Sequence, residues 1–372
     1  MKQRKIILLF AVAMMALPMA AKQKRALTEK DRGAIRSGEL WLDDKDEHIN
    51  AHGGGILKFG DTYYWFGEHK SEHTSDALVG VMCYASKDLV NWRNCGVALS
   101  VTEPAPNQNG QRMRRRGATT DSDIERGCIL ERPKVIYNPV TKKFCMWFHL
   151  ELKGQGYNAA RYGVAVADRP EGPYKFLYSS RANAGTWPVE GSPMDFDEYL
   201  KRDFGKGQMA RDMTLYVDDD GKAYHIFSSE ETYTLHIAEL TADYLHHNGR
   251  YTRVAPGGQN EAPAIFKHDG TYWMITSGCT GWAPNEARMF SAPSIWGPWT
   301  QHPNPCRGPL AEKTFNGQST FVLTIDEPSP LTSKYIFMAD IWRPNHPIDA
   351  RYIWLPIEFE DGKPVIRWRD EW

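Results

Sequence analysis

Paired cysteines, metal-ligand spacings and one-sided charge are all missing from this 372-residue chain. Its six cysteines (Cys83, Cys95, Cys128, Cys145, Cys279, Cys306) form no CxxC pair and stand at no spacing that a zinc site uses, so no metal is expected. Net charge is −1 with acids and bases interspersed, which leaves nucleic acid or an anionic membrane without an electrostatic footprint and favours a small neutral partner. Neither a GxSxG elbow nor a glycine-rich phosphate loop occurs, and nothing calls for a cofactor. Helical periodicity is nearly absent, which turns attention to strands.

The first residues do carry an apolar run. Lys2, Arg4 and Lys5 precede residues 6–17, and Ala20 and Ala21 follow, the layout of an export signal over residues 1–21. The run is shorter than the roughly 20 residues a bilayer span needs, although an uncleaved anchor is the alternative. No cysteine follows it, which argues against a lipoprotein. The expectation is an exported protein, periplasmic or extracellular, free of the membrane once the signal is removed. Export permits disulfides, but sequence does not pair them, and strand-borne Cys145 is equally suited to be a buried thiol. Residues 22–38 read as a charged lead-in, and 39–372 as one domain.

That domain repeats itself. GGGILKFGDTYYWFGE from Gly53, ERPKVIYNPVTKKFCMWFHLE from Glu131, RDMTLYVDDDGKAYHIFSSEE from Arg211, EAPAIFKHDGTYWMITSG from Glu261 and the stretch from Gly317 to Trp342 share one plan. Each has a polar or small head, an apolar strand, a turn and an aromatic strand. Five such units at blade-like spacing predict an all-β fold, a five-bladed β-propeller, with a β-sandwich as the alternative. In a propeller the first strand of each blade lines the central channel. The heads Asn50 and His52, Glu131, Asp212, Glu261 and Gln318 would therefore converge at one mouth.

Converging carboxylates without a metal set suit glycoside hydrolysis, in which one carboxyl is kept protonated by its neighbours. The 13 Trp and 17 Tyr supply sugar-stacking surface; Trp282, in the loop GCTGWAPN, and Trp342, closing the last repeat, are the candidates. Trp65, Trp147 and Trp273 lie inside strands and read as packing. AspAspAsp at 218–220 reads as a solvated turn, GluGlu at 230–231 as the end of a hairpin, and the basic run at 112–116 as a solvated loop.

Taken together, AHGGGILKFGDTYYWFGE, ERPKVIYN, RDMTLYVDDDG, EAPAIFKHDGTYW, TSGCTGWAPN and RYIWLPIEF resemble glycoside hydrolase family 43. The likeness is strongest to the branch of exo-β-1,3-galactanases and its neighbour of arabinogalactan-directed α-L-arabinofuranosidases. It implies an inverting exo-enzyme on a five-bladed propeller. Glu261 matches the general acid and Asp212 the aspartate that tunes its pKa. The family's usual base heads the first blade as Asp, where this chain has AsnAlaHis. The galactanase branch shares that departure and uses the residues matched by Glu131 and Gln318. Gln318 would position the attacking water or act as its imidic tautomer, with Glu131 as the alternative base. His52 and Asn50 would bind sugar hydroxyls or support the channel. The expected substrate is an arabinogalactan-type plant polysaccharide, with galactose ahead of arabinose; a non-catalytic glycan-binding propeller is the competing class. Residues 39–42 are placed to pair with 364–368 and close the ring.

Overall fold

Each polar-headed repeat becomes the first hairpin of an antiparallel sheet in the computed structural model, which describes residues 33–103, 123–325 and 333–372. The signal segment and the basic run at 112–116 lie outside the described residues. The inner strands are His52–Phe59, Ile129–Asn138, Met213–Val217, Asn260–His268 and Gln318–Thr324. Each pairs with the aromatic strand that follows it, and two further strands complete each of five sheets, here blades I to V. Blade V gains an extra outer strand, Cys306–Arg307, which runs parallel to Lys363–Arg367. The chain is thus a five-bladed β-propeller.

Burial follows the strand period. Large apolar side chains on the faces of each sheet meet those of the next, and each of the five gaps between neighbouring blades holds an apolar cluster. Phe66 and Phe148 belong to the cluster between I and II, Trp147 and Phe227 to that between II and III, and Ile226 and Met274 to that between III and IV. Trp273 and Phe337 belong to the IV–V cluster. The last gap, between V and I, is filled with Trp65, Trp92 and Trp354, whose rings lie 4.9–5.8 Å apart. Trp65, Trp147 and Trp273 are packing residues, each at most 5% exposed.

Ring closure differs from the expected strand pair. Leu42 makes an isolated bridge to His48, while the strand Lys363–Arg367 is occupied on both sides by its hairpin partner and Cys306–Arg307. The ends meet instead at Ile35 and Trp372, which exchange backbone hydrogen bonds of 2.9 and 3.1 Å, and at Gly38, which donates to Tyr352 O. The lead-in is too irregular to add a ladder, so it joins the chain's end through single contacts. All six cysteines are free thiols.

One device recurs at the start of the inner strands. A β-bulge with one extra residue follows the head in blades I, II, IV and V, between His52 and Gly55, Glu131 and Lys134, Glu261 and Ala264, and Ser319 and Phe321. In three of them the residue after the head is left-handed: Gly53 (φ 60°), Arg132 (φ 56°) and Ala262 (φ 54°). A bulge bends the strand and re-aims the side chain beside it. At Gly53 a side chain would also collide with Glu68.

Candidate active site

The heads of blades II to V converge. Glu131, Asp212, Glu261 and Gln318 line one cavity of about 370 Å³, with Trp282 and Trp342 in its wall. The structure does not bring Asn50 and His52 there. Asn50 Nδ2 donates to Lys70 O, and its Oδ1 accepts from Lys70 N, both at 2.8 Å, so the amide is spent on holding that backbone. His52 is fully buried and stacks on Tyr352 at 5.5 Å in the gap between blades V and I. Burial pushes its pKa well down, helped by repulsion from His48 and Lys70. Blade I instead offers Glu68 and Lys70 to the cavity.

The reason lies in hairpin register. Each head sits opposite the end of the second strand: His52 faces Glu68, Glu131 faces His149, and Glu261 faces Ser277. A second ring of polar groups therefore backs the first. Glu68, Lys70, Arg132, His149, Tyr157 and Arg211 carried no expectation from the sequence. The signal was present in the polar endings GE, HLE and SG of the aromatic strands.

Glu131 is gripped from three sides. His149 Nδ1 meets its Oε2 at 3.2 Å, the Tyr157 hydroxyl donates to its Oε1 at 2.9 Å, and Lys70 Nζ lies 3.8 Å away. Burial raises the Glu131 pKa, but these partners outweigh it and hold the group at about 2. His149 also meets Glu151 Oε1 at 3.0 Å; against its burial, the two carboxylates raise it to about 9, so it is an imidazolium at neutral pH. Lys70 is ion-paired to Glu68 as well.

Arg132 is the hub of the other side. Its Nη2 bridges Asp212 Oδ2 at 2.7 Å and Gln318 Oε1 at 2.5 Å, and Nη1 donates to Ser319 O at 2.8 Å. Trp342 Nε1 donates to the same Gln318 oxygen at 2.8 Å, while Gln318 Nε2 donates to Ser277 Oγ at 2.9 Å. Two obligate donors on Oε1 fix the amide orientation. They also occupy both lone pairs of the oxygen, so the resting side chain is an amide and not its imidic tautomer. Glu261 has the opposite environment to Glu131. Burial and the neighbouring Asp212 charge, opposed by Arg132, raise it to about 7. Two carboxyls in one cavity are thus driven apart, one ionised and one poised to hold a proton.

The donors of Glu131, His149 and Asp212 that approach within 4.8 Å of one another are already answered by Lys70, Arg132 and the His149 charge, a poor arrangement for a cation. At the rim, Trp282 is 43% exposed and meets Trp342 edge to face at 5.9 Å.

The profile of glycosyl hydrolases family 43 matches residues 52–328. This chain belongs to glycosyl hydrolase family 43. Among solved family 43 structures, a β-1,3-galactosidase with galactodeoxynojirimycin is 52% identical over 91% of this chain and 99% of its own, with a TM-score of 0.82. The exo-β-1,3-galactanase from Clostridium thermocellum is 34% identical over 91% of this chain and 66% of its own (TM-score 0.74). A xylan 1,3-β-xylosidase from Vibrio sp is 24% identical over 67% of this chain. The chain spans about two fifths of the length of the curated relatives it matches.

Proposed function

We propose that this family 43 glycosidase removes terminal galactose from β-1,3-galactan by an inverting, exo-acting mechanism. The observation that carries the chemistry is the pair Glu261 and Glu131: one carboxyl raised to about 7, the other held at about 2, in one cavity. The galactose assignment is supported by the relative that binds galactodeoxynojirimycin, which matches nearly end to end.

In this reading Glu261 donates its proton to the leaving oxygen. Asp212 keeps that proton in place by its charge, and Arg132 holds the Asp212 carboxylate in position at 2.7 Å. Gln318 orients the attacking water. Because its oxygen is engaged by Arg132 and Trp342, it does so through its amide N–H or by yielding one of those bonds to the water. Glu131, ionised across the working range, receives the proton as the C–O bond forms. Its low basicity fits a step in which the water becomes acidic only as it bonds to the electron-poor anomeric carbon. Trp282 and Trp342 supply apolar faces for the sugar ring. Export to the periplasm or exterior, and an arabinogalactan of plant origin as the natural polymer, complete the proposal.

Product analysis tests it. Purified protein should release galactose from β-1,3-galactan, with the first-formed anomer α by NMR, and the Glu261→Gln variant should release it at least about a hundredfold more slowly. Arabinose alone from decorated arabinogalactan would assign the α-L-arabinofuranosidase activity instead. Binding of the polymer without product would make the protein a glycan-binding propeller.

A further inference from the structure

The connection from blade II to blade III runs along the active-site end of the ring and exposes an aromatic surface that the chemistry above does not use. Phe196 is 37% exposed. Its ring lies 5.9 Å from Tyr199, in the short helix Glu198–Asp203, and 4.9 Å from Tyr233, in the loop after the second strand of blade III. Tyr199 and Tyr233 are stacked at 5.4 Å with only 10° between their planes.

This surface is built, not loose. Arg253, fully buried, donates to the carbonyls of Pro193, Asp195 and Phe196 at 2.7, 3.0 and 2.7 Å, and its charge is met by the buried Glu230. A buried ion pair whose remaining donors all hold one surface segment fixes the shape of that segment.

The surface also continues the catalytic cavity on a definite side. Cys279, beside the Glu261 carboxyl, contacts Thr232 O at 3.7 Å, one residue before Tyr233. Gln259, two residues before Glu261, donates to Tyr233 O at 3.1 Å. From the helix, Arg202 bonds Glu231 at 2.9 Å, and Glu231 lies 3.6 Å from Arg211 in the cavity wall. The aromatic surface is therefore tied to the side of the cavity that carries the proton donor, through Gln259, Thr232 and Cys279. A proton donor faces the oxygen that leaves, so the rest of the polymer departs past Glu261. The cavity, at about 370 Å³, is at the small end for ligand sites, which leaves those further sugars outside it.

We propose that Phe196, Tyr199 and Tyr233 form a platform that binds the reducing-end portion of the galactan, the sugars beyond the bond being cut, by stacking on their apolar faces. The proposal rests on the galactanase reading above for its ligand. A pyranose has one face of C–H groups, and an immobile aromatic pair offers it area without an entropic cost.

The test uses chain length. The ratio of kcat/KM for β-1,3-galactotetraose to that for β-1,3-galactobiose should be about ten or more in the wild type. It should fall about tenfold in Phe196→Ala combined with Tyr233→Ala, the equivalent of losing roughly one stacking contact per ring. Tyr199→Phe and Tyr233→Phe keep the rings and should keep the ratio. Trp187→Ala removes an exposed ring that stacks on Phe204 and not on this cluster, and should leave the ratio unchanged. A ratio indifferent to the alanine changes overturns the platform, as does sedimentation showing that the wild type is a dimer which these changes dissociate. If the wild type cuts neither oligosaccharide, the galactanase reading falls separately. Retardation of the protein by β-1,3-galactan in a native gel then decides the platform, which stands if the alanine changes abolish retardation and falls if they do not.

Discussion

At the scale of single residues, the site works by giving like groups unlike surroundings. As the proposed proton donor Glu261 must be protonated to act, and its pKa of about 7 means that the active form is lost as pH rises through neutrality. The alkaline limb of kcat/KM on galactobiose should fall there. In Asp212→Asn the charge that raises Glu261 is gone while Arg132, which lowers it, remains; the limb should move to lower pH, and a limb moving up would contradict the assignment. Glu261→Gln should cost about 10²–10⁴ in kcat on oligosaccharides and much less on an aryl galactoside whose leaving group needs no proton. Glu131→Ala should lose hydrolysis and recover turnover with added azide, giving the α-galactosyl azide; no recovery would remove Glu131 from the water's side of the sugar.

At the scale of elements, the bulges decide which residues of a strand reach the cavity. Ala262 sits at φ 54° directly after Glu261, where an L side chain costs roughly 1–2 kcal/mol. Ala262→Gly should therefore raise the melting temperature, and Ala262→Val should lower it and reduce kcat together, since the turn aims Glu261. The platform segment has its own dependence on pH. Against burial, His236 and Arg253 hold Glu230 at about 2, below its unfolded value of about 4.3. Its contribution to stability is complete above that value and is lost as pH falls from about 4.5 toward 2. Glu230→Gln, which strands the Arg253 charge, should cost about 3–5 kcal/mol in a denaturant titration at neutral pH. The heads Glu131, Asp212, Glu261 and Gln318 were legible because repetition places them alike in every unit. His149, Lys70 and Arg132 were not, since their orientation comes from hairpin register and bulges, which depend on pairings that local sequence does not print. The same omission misplaced His52, which turns into the gap beside blade V, and Asn50, whose amide is spent on the Lys70 backbone.

At the scale of the molecule, the five gaps make stability a property of the closed ring. The number of blades was readable from the five repeats, whereas the closure was not, because it uses single backbone bonds at Ile35, Gly38 and Trp372 in place of a patterned strand. Trp372 adds an indole bond to Trp354 O at 2.7 Å. Truncation of residues 369–372 should lower the melting temperature by about 5–10 °C, given a few lost hydrogen bonds and one indole's burial. Activity at 25 °C should persist, since none of the truncated residues reaches the cavity. The separate bulges have a consequence for descent. Each reactive group arrives on its own blade, aimed by its own turn, so an ancestor could lose the carboxylate of the first blade without disturbing the others. His52, sunk against Tyr352 and away from the cavity, shows that one blade's head can be withdrawn while the other four still meet, so a fold built this way can change its chemistry one blade at a time.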